Sequence, residues 1–370
     1  MNSYIPRLEN DRKVLFFVIK PTSDVRFSIA FSKRFNFMIS MGHFLSSGRS
    51  LLEKVKEAGG WRQYVKSDKL FFADSGAQQI MFYKLSDSEF VRYMESVYEM
   101  YKIFKPDYAA SLDYPIDTHL CKVDLYKGPL AGKRLSDDEI ERRINLSLKS
   151  ALRLLQEADK SDYIPVPVVQ GDPERPETYE YMIEALYDQS DYLGLGSLCM
   201  SSPKQVIRCI KHLEPLLRNK DVHIFGIGSL RLIHKLFEDF PFVRSVDTAS
   251  YRYAADRRKL LCNGGIHGHR HAREVFGDWV SEPVVGARIL AFYYAYEFEV
   301  RLGLRETNPL VEYMNNNSNN LRHRGRPRCS PLIVTKIFKL RREGLSMREI
   351  ARKLGVSHTT VWRALNYELF

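Results

Sequence analysis

The chain has 370 residues, 44% of them hydrophobic and 27% charged, which is the composition of a globular protein with ample material for a core. Five cysteines, an odd number without a Cys-x-x-Cys pair, argue against a disulfide framework and fit a reducing, cytoplasmic setting. The net charge of +11 is lopsided: residues 321–370 hold twelve Lys and Arg against three Asp and Glu, so +9 of it sits there. That asymmetry points the tail toward nucleic acid and leaves the first 320 residues almost neutral.

Residues 1–13 are polar and of mixed charge, without the apolar core of a signal peptide. The apolar run at 289–296 is too short to span a bilayer and leads into Glu297 and Glu299, so no membrane association is expected. Apolar runs predict strands over 14–19, 37–41, 70–73, 108–112, 165–169, 192–195, 222–225 and 243–246. Helical patterns fall mostly between them. Residues 50–58 are amphipathic, and Phe90, Met94, Val97 and Tyr101 recur at helical spacing. Ser136 with Glu139 reads as a capping box before a face of Ile140, Ile144, Leu148, Ala151 and Leu155. Ser202-Pro203 reads as an N-cap followed by proline in the first turn. Eight continuous apolar strands separated mostly by helices predict an α/β fold, a (β/α)8 TIM barrel. An open doubly wound sheet competes, but no Gly-x-Gly-x-x-Gly opens the first βα unit.

The residues at the strand ends are informative. The third strand runs into Asp74-Ser75-Gly76, the fourth into Asp113, the fifth into Gln170-Gly171 and the sixth into Gly196-Ser197. The seventh runs into Gly226-Ile227-Gly228 and the eighth into Asp247. In a barrel these ends share one mouth. Carboxylates gathered there suit glycosidic chemistry, one attacking the anomeric carbon while another handles protons. Gln170 carries both donor and acceptor, as the edge of a nucleobase requires. Glycine at a strand end lets a flat ring approach the backbone.

The series resembles the tRNA-guanine transglycosylase superfamily over roughly residues 14–260. The family's Asp-Ser-Gly-Gly-aromatic-Gln motif is matched by Asp74-Ser75-Gly76-Ala77-Gln78-Gln79, its strand ending in aspartate by Ser111-Leu112-Asp113, and its Val-Gln-Gly by Val169-Gln170-Gly171. Gly-Gly-Leu is matched by Gly196-Ser197-Leu198, Met-Gly-Val-Gly by Phe225-Gly226-Ile227-Gly228, and the nucleophile segment by Val246-Asp247-Thr248-Ala249-Ser250-Tyr251. The resemblance implies Asp247 as nucleophile at C1′ and Asp74 as general acid/base. It also implies a base subsite of Asp113, Gln170, Gly196, Ser197, Phe225 and Gly226, with Ser75 and Gln79 beside it. No cofactor is required by such a double displacement.

The sequence departs from the family in several places. Gln78 stands where an aromatic residue stacks, Phe225 where methionine stands, Ser197 where glycine stands, and Pro115 near a usual cysteine. The family's Cys-x-Cys-x-x-Cys zinc site is absent. Cys262, His267, His269 and His271 cluster near its place as a weak candidate site for zinc, without the spacing of a standard finger, and a polar Gly/His loop is the plainer reading.

Residues 272–310 read as helices, with Phe292, Tyr296 and Val300 as a packing stripe, so the first domain is taken as 1–310. An Asn-rich and basic linker, 311–330, ends in Arg324-Gly325-Arg326-Pro327-Arg328, an arm suited to a narrow minor groove. Residues 331–370 read as an all-α helix-turn-helix domain resembling that of resolvases and invertases. Ser346 and Glu349 cap one helix, Gly355 makes the turn, and Ser357 caps the next. Thr359, Thr360, Arg363 and Asn366 are its candidate DNA contacts, and Trp362 is expected to be half-buried.

The combined expectation is an enzyme that exchanges guanine for a 7-deazaguanine such as preQ0 in DNA, as in the DNA-directed branch of the superfamily. A tRNA-guanine transglycosylase is the alternative. A non-catalytic, nucleobase-sensing DNA-binding regulator is a second, which the presence of both Asp74 and Asp247 disfavours. Hydrolytic base release also remains open.

Overall fold

The computed structural model describes residues 12–116, 134–158, 161–257, 285–311 and 331–365. The chain divides into two compact units, Met1–Ile227 with Leu236–Thr248, and Gly228–Lys235 with Ala249–Phe370.

The first unit is built on nine strands among the described residues. They are β1 (Val14–Ile19), β2 (Phe37–Ser40), β3 (Phe71–Asp74), β4 (Tyr108–Ala110), β5 (Ile164–Val166), β6 (Val168–Val169), β7 (Tyr192–Leu195), β8 (Asp221–Ile224) and β9 (Val243–Thr248). All pairings are parallel, in the order β5-β4-β3-β2-β1-β9-β8-β7-β6. The two edge strands are neighbours in sequence, separated only by Pro167. Proline has no N–H to give a ladder, and the chain changes partner there: β5 pairs with β4, β6 with β7. The gap is bridged on both sides. Gly194 N donates to the Pro167 carbonyl at 2.8 Å, and Val168 N donates to the Ser111 hydroxyl at 2.8 Å. The result is a nearly closed, barrel-like parallel sheet. The predicted fifth strand, 165–169, is therefore two short strands divided by its own proline.

Alternation places Val14, Phe16, Met38, Phe72, Tyr108, Ala110, Val166, Val168 and Tyr192 in one interior cluster. Side chains of the other face pack on helices. Phe17 meets Phe31 and Phe35 at ring distances of 5.7 and 5.3 Å, and Phe71 meets Phe104 at 6.4 Å. Burial on both faces is why the strands read as unbroken apolar runs. Helix Asp87–Phe104 opens with a Ser86/Glu89 capping box and buries Phe90, Met94, Val97 and Tyr101, as its spacing predicts. Helix Asp137–Ala158 buries Ile140, Ile144 and Ala151, but Leu146 and Leu154 take the places expected for Leu148 and Leu155, and Arg143 is buried with them.

In the second unit, helix Val285–Arg301 buries Tyr296 and Val300, while Phe292 is half-buried. Its buried Glu297 and Glu299 are matched by Arg301 at 3.3 Å and Arg305 at 2.6 Å. Among the described residues, no helix is long and apolar enough to cross a membrane. Helices Pro331–Arg342, Met347–Leu354 and His358–Leu365 close around Ile337, Leu340, Ile350, Ala351 and Val361.

Candidate active site

The site is built on the C-terminal ends of the strands. β3 ends at Asp74, and Gly76 then turns the chain at φ +85°. A Cβ at Gly76 would lie 2.5 Å from the Gly42 nitrogen, so both the dihedral and the space demand glycine there. The Asp74 carboxylate accepts from Gly76 N at 3.2 Å and is hydrogen-bonded by Ser40. Burial raises its pKa from 3.8 to about 6; the Ser40 bond opposes the rise and the negative charge of Asp247 adds to it.

Asp113 follows β4 and Gln170 follows β6, both buried. Gln170 Nε2 donates to Asp113 Oδ2, and the Ser75 hydroxyl donates to Asp113 Oδ1 at 3.4 Å. The Ser197 hydroxyl donates to Gln170 Oε1 at 2.5 Å and accepts from Ile116 N at 2.8 Å. Burial, then the charge of Asp74, raises the Asp113 pKa from 3.8 to about 7. Gly196 has no room for a side chain, since a Cβ would lie 1.9 Å from Gln170 Nε2. Ser197 occupies the left-handed region at φ +58°, costly for a residue other than glycine. Its two hydroxyl bonds hold it there.

Asp247 lies near the end of β9, with Oδ1 accepting from Gly226 N at 2.8 Å. His223 of β8 sets Nε2 3.3 Å from the same oxygen. Phe225 is half-buried and packs edge-on against His223, ring centroids 4.4 Å apart. Asp74 thus senses Asp247, and Asp113 senses Asp74: the sequence-predicted carboxylates form one electrostatic group.

Two loops at the site are locked by a charged residue that shares the buried face of its helix with Ile140 and Ile144. Arg143, 1% exposed, donates to the carbonyls of Pro115 at 2.6 Å, Met81 at 3.1 Å and Tyr83 at 3.3 Å. It also pairs with Glu139 at 3.0 Å and lies 4.0 Å above the Tyr114 ring. It joins the segment after the Asp74 motif to the segment carrying Asp113. Gln79 turns aside toward His43, with Nε2 3.3 Å from Nδ1, while Gln78 is exposed.

The described residues contain no group of three or more His, Cys, Asp and Glu placed to hold a metal. Cys262, His267, His269 and His271 lie outside the described residues, as do Arg324, Arg326, Arg328 and Asn366. Among the other DNA candidates, Thr359 is exposed on helix His358–Leu365, which also carries Arg363. The Thr360 hydroxyl is engaged with Ser357 at 2.8 Å. Trp362 is 42% exposed, and Val361 beside it fills the core.

Ser346 and Glu349 form the expected capping box, Gly355 turns at φ +63°, and Ser357 accepts from Thr360 N at 3.0 Å. Residues 334–366 match the family described as a helix-turn-helix domain. The C-terminal segment carries a helix-turn-helix domain. Such a domain suggests DNA as a partner. No curated protein matches the chain.

Proposed function

We propose that the chain is a base-exchange transglycosylase acting on guanine in DNA and inserting a 7-deazaguanine base. Taken as one strand broken at Pro167, β5 and β6 complete a (β/α)8 barrel whose mouth is the active site. The observation that carries the reading is the division of work among three neighbouring carboxylates. Asp247 is pinned through one oxygen by Gly226 N and His223, which suits a nucleophile with a fixed orientation. Asp74, with a pKa of about 6, can give and take a proton near neutrality. Asp113 and Gln170 present a carboxylate and an amide side by side, with acceptor lone pairs and a second amide N–H left for a purine edge.

In the forward step an Asp247 oxygen forms a bond to C1′. The C1′–N9 bond breaks, its electron pair leaves with guanine, and Asp74 supplies the proton guanine takes up. The incoming base then gives a proton to Asp74, attacks C1′ and expels the Asp247 carboxylate. A stacked base cannot reach a barrel mouth, so the target is flipped out or single-stranded. The helix-turn-helix domain favours DNA over tRNA as the polymer.

The test is exchange of radiolabelled guanine into DNA and tRNA, together with nucleoside mass spectrometry of both polymers from cells with and without the protein. Modified base in DNA is expected. Modification of tRNA alone makes the tRNA enzyme the correct reading. Asp247→Asn should abolish exchange in a folded protein, since an amide is a poor nucleophile; near-normal exchange removes Asp247 from that role.

A further inference from the structure

Behind Asp247, the His223 that touches it is itself held by Ser245 and Tyr192. Tyr192 is 6% exposed, and Ser245 and His223 are fully buried. The Tyr192 hydroxyl and Ser245 Oγ are 2.5 Å apart, Ser245 Oγ and His223 Nδ1 are 2.5 Å apart, and His223 Nε2 is 3.3 Å from Asp247 Oδ1. The imidazole is held between Phe72 and Phe225, at ring distances of 4.6 and 4.4 Å, with Phe16 at 6.1 Å.

The proton arrangement follows from Asp247. A carboxylate only accepts, so Nε2 must carry the hydrogen that faces Oδ1. Burial, opposed by Asp247, holds the His223 pKa below its ordinary value, so the ring is neutral and Nδ1 is an acceptor. Ser245 then donates to Nδ1 and accepts from Tyr192. Every donor in the chain has one acceptor, and the chain runs in one direction. Oδ1 of Asp247 receives two donors, Gly226 N and His223 Nε2, and no described residue donates to Oδ2.

We propose that His223, its tautomer fixed by Ser245 and Tyr192, is the positioning residue for Asp247, leaving Oδ2 as the attacking oxygen. This rests on the base-exchange reading. It adds an asymmetry between the half-reactions. In the glycosyl-enzyme Oδ2 is bonded to C1′ and Oδ1 becomes the ester carbonyl. When the incoming base attacks C1′, the C1′–Oδ2 bond breaks and its electron pair returns to the carboxylate. The two donors on Oδ1 stabilise that returning charge, so losing His223 slows resolution of the intermediate most.

The variants separate the two atoms of the ring. Gln at 223 places an amide nitrogen near the position of Nε2, Asn places one near Nδ1, and Phe keeps the aromatic volume with no donor. The expected order of kcat is wild type, then His223→Gln, with His223→Asn and His223→Phe together at roughly a 10- to 100-fold loss, the worth of one hydrogen bond to a charged group. KM for the base should stay within about twofold, and the glycosyl-enzyme should accumulate in the Phe variant, seen as a DNA–protein adduct on denaturing gels. Wild-type kcat in folded His223→Phe, or equal kcat in the Gln and Asn variants, overturns the proposal. Nitrogen-15 NMR of the wild-type protein reads the tautomer without turnover. Protonation at Nε2 alone is expected; an Nδ1–H tautomer or an imidazolium overturns the proposal even if the variants misfold. If wild type shows no exchange while the NMR finds Nε2–H, the base-exchange reading fails and the hydrogen-bonded chain stands.

Discussion

Gly196→Ala tests the base subsite through one methyl group. The added Cβ would lie 1.9 Å from Gln170 Nε2 and 2.7 Å from its Cδ, far inside contact distance. The atoms it meets are the far end of a flexible side chain, so the amide yields rather than the strand. Gln170 is fully buried, and moving its amide breaks two bonds: the donation to Asp113, which is charge-assisted when Asp113 is ionised, and the acceptance from Ser197. Together these are worth about 2.5–4 kcal/mol, counting roughly 1 for the neutral bond and 1.5–3 for the charged one. If the same groups read the base, the affinity for guanine should fall roughly 60- to 700-fold at 1.4 kcal/mol per factor of ten. Calorimetry with guanine measures the affinity, and DNA binding by the same protein is the control, expected to change less than threefold. A folded variant that binds guanine within a factor of two of wild type refutes the argument, because the amide cannot remain in place beside a new methyl group.

Three further outcomes follow from buried groups and charge. Asp113 is held at a pKa of about 7 in the folded chain, above the carboxylate value of 3.8, so the stability tied to its protonated form is complete below about pH 4 and lost as pH rises through 7. Asp113→Asn escapes that loss and should melt roughly 2–5 °C higher than wild type at pH 8 but not at pH 4; no gain at pH 8 argues against a buried charge penalty there. Arg143→Ala strands three carbonyls and Glu139, so chemical denaturation should show a loss of about 3–5 kcal/mol; less than about 1 kcal/mol would mean that the two site loops hold without the latch. Deleting residues 321–370 removes +9 of charge and the helix-turn-helix domain, so a salt titration should show weaker DNA binding with a shallower slope, while exchange on short single-stranded DNA survives. An unchanged slope would move the DNA reader elsewhere in the chain.

The strands were legible where they are apolar throughout. β1 and β7 begin and end where the apolar runs at 14–19 and 192–195 do. Errors gather where a strand is also part of the site. β3 continues to Asp74 and β9 to Thr248, past the ends suggested by hydrophobicity, because a polar side chain facing the inside of a closed sheet keeps its strand pairing. Register shows this directly: Asp74 sits opposite Ser40, and Asp247 opposite Phe16. β4 shows the reverse. Its predicted end at Leu112 overshoots: Ser111 N still bonds the Val166 carbonyl of β5 at 3.0 Å, but Leu112 N turns to the Tyr98 hydroxyl at 3.4 Å. Apolar character continues there because the segment is buried beneath helices.

The acidic residues of the site were found because each ends an apolar run, and at Asp74 the Ser-Gly that follows marks a turn as well. His223 was missed because it lies inside a strand, in Val222-His223-Ile224-Phe225, where a single polar residue reads as noise in an apolar run. A signal was present. His223 on β8 and Phe225 just past its end share a face, and Ser245 and Asp247 share a face of β9, both by the two-residue period. Polar residues on two adjacent strands, at matching depth, cannot be buried singly without cost. They must satisfy each other, and the pairing of His223 with Ser245 across the ladder places them to do so. The same reasoning reaches Tyr192, whose hydroxyl would otherwise be stranded inside the sheet, but only once β7 is known to neighbour β8. A hydrogen-bonded chain across three strands is thus a property of sheet order, which local sequence does not carry, whereas a carboxylate at a strand end is a property of one strand, which it does.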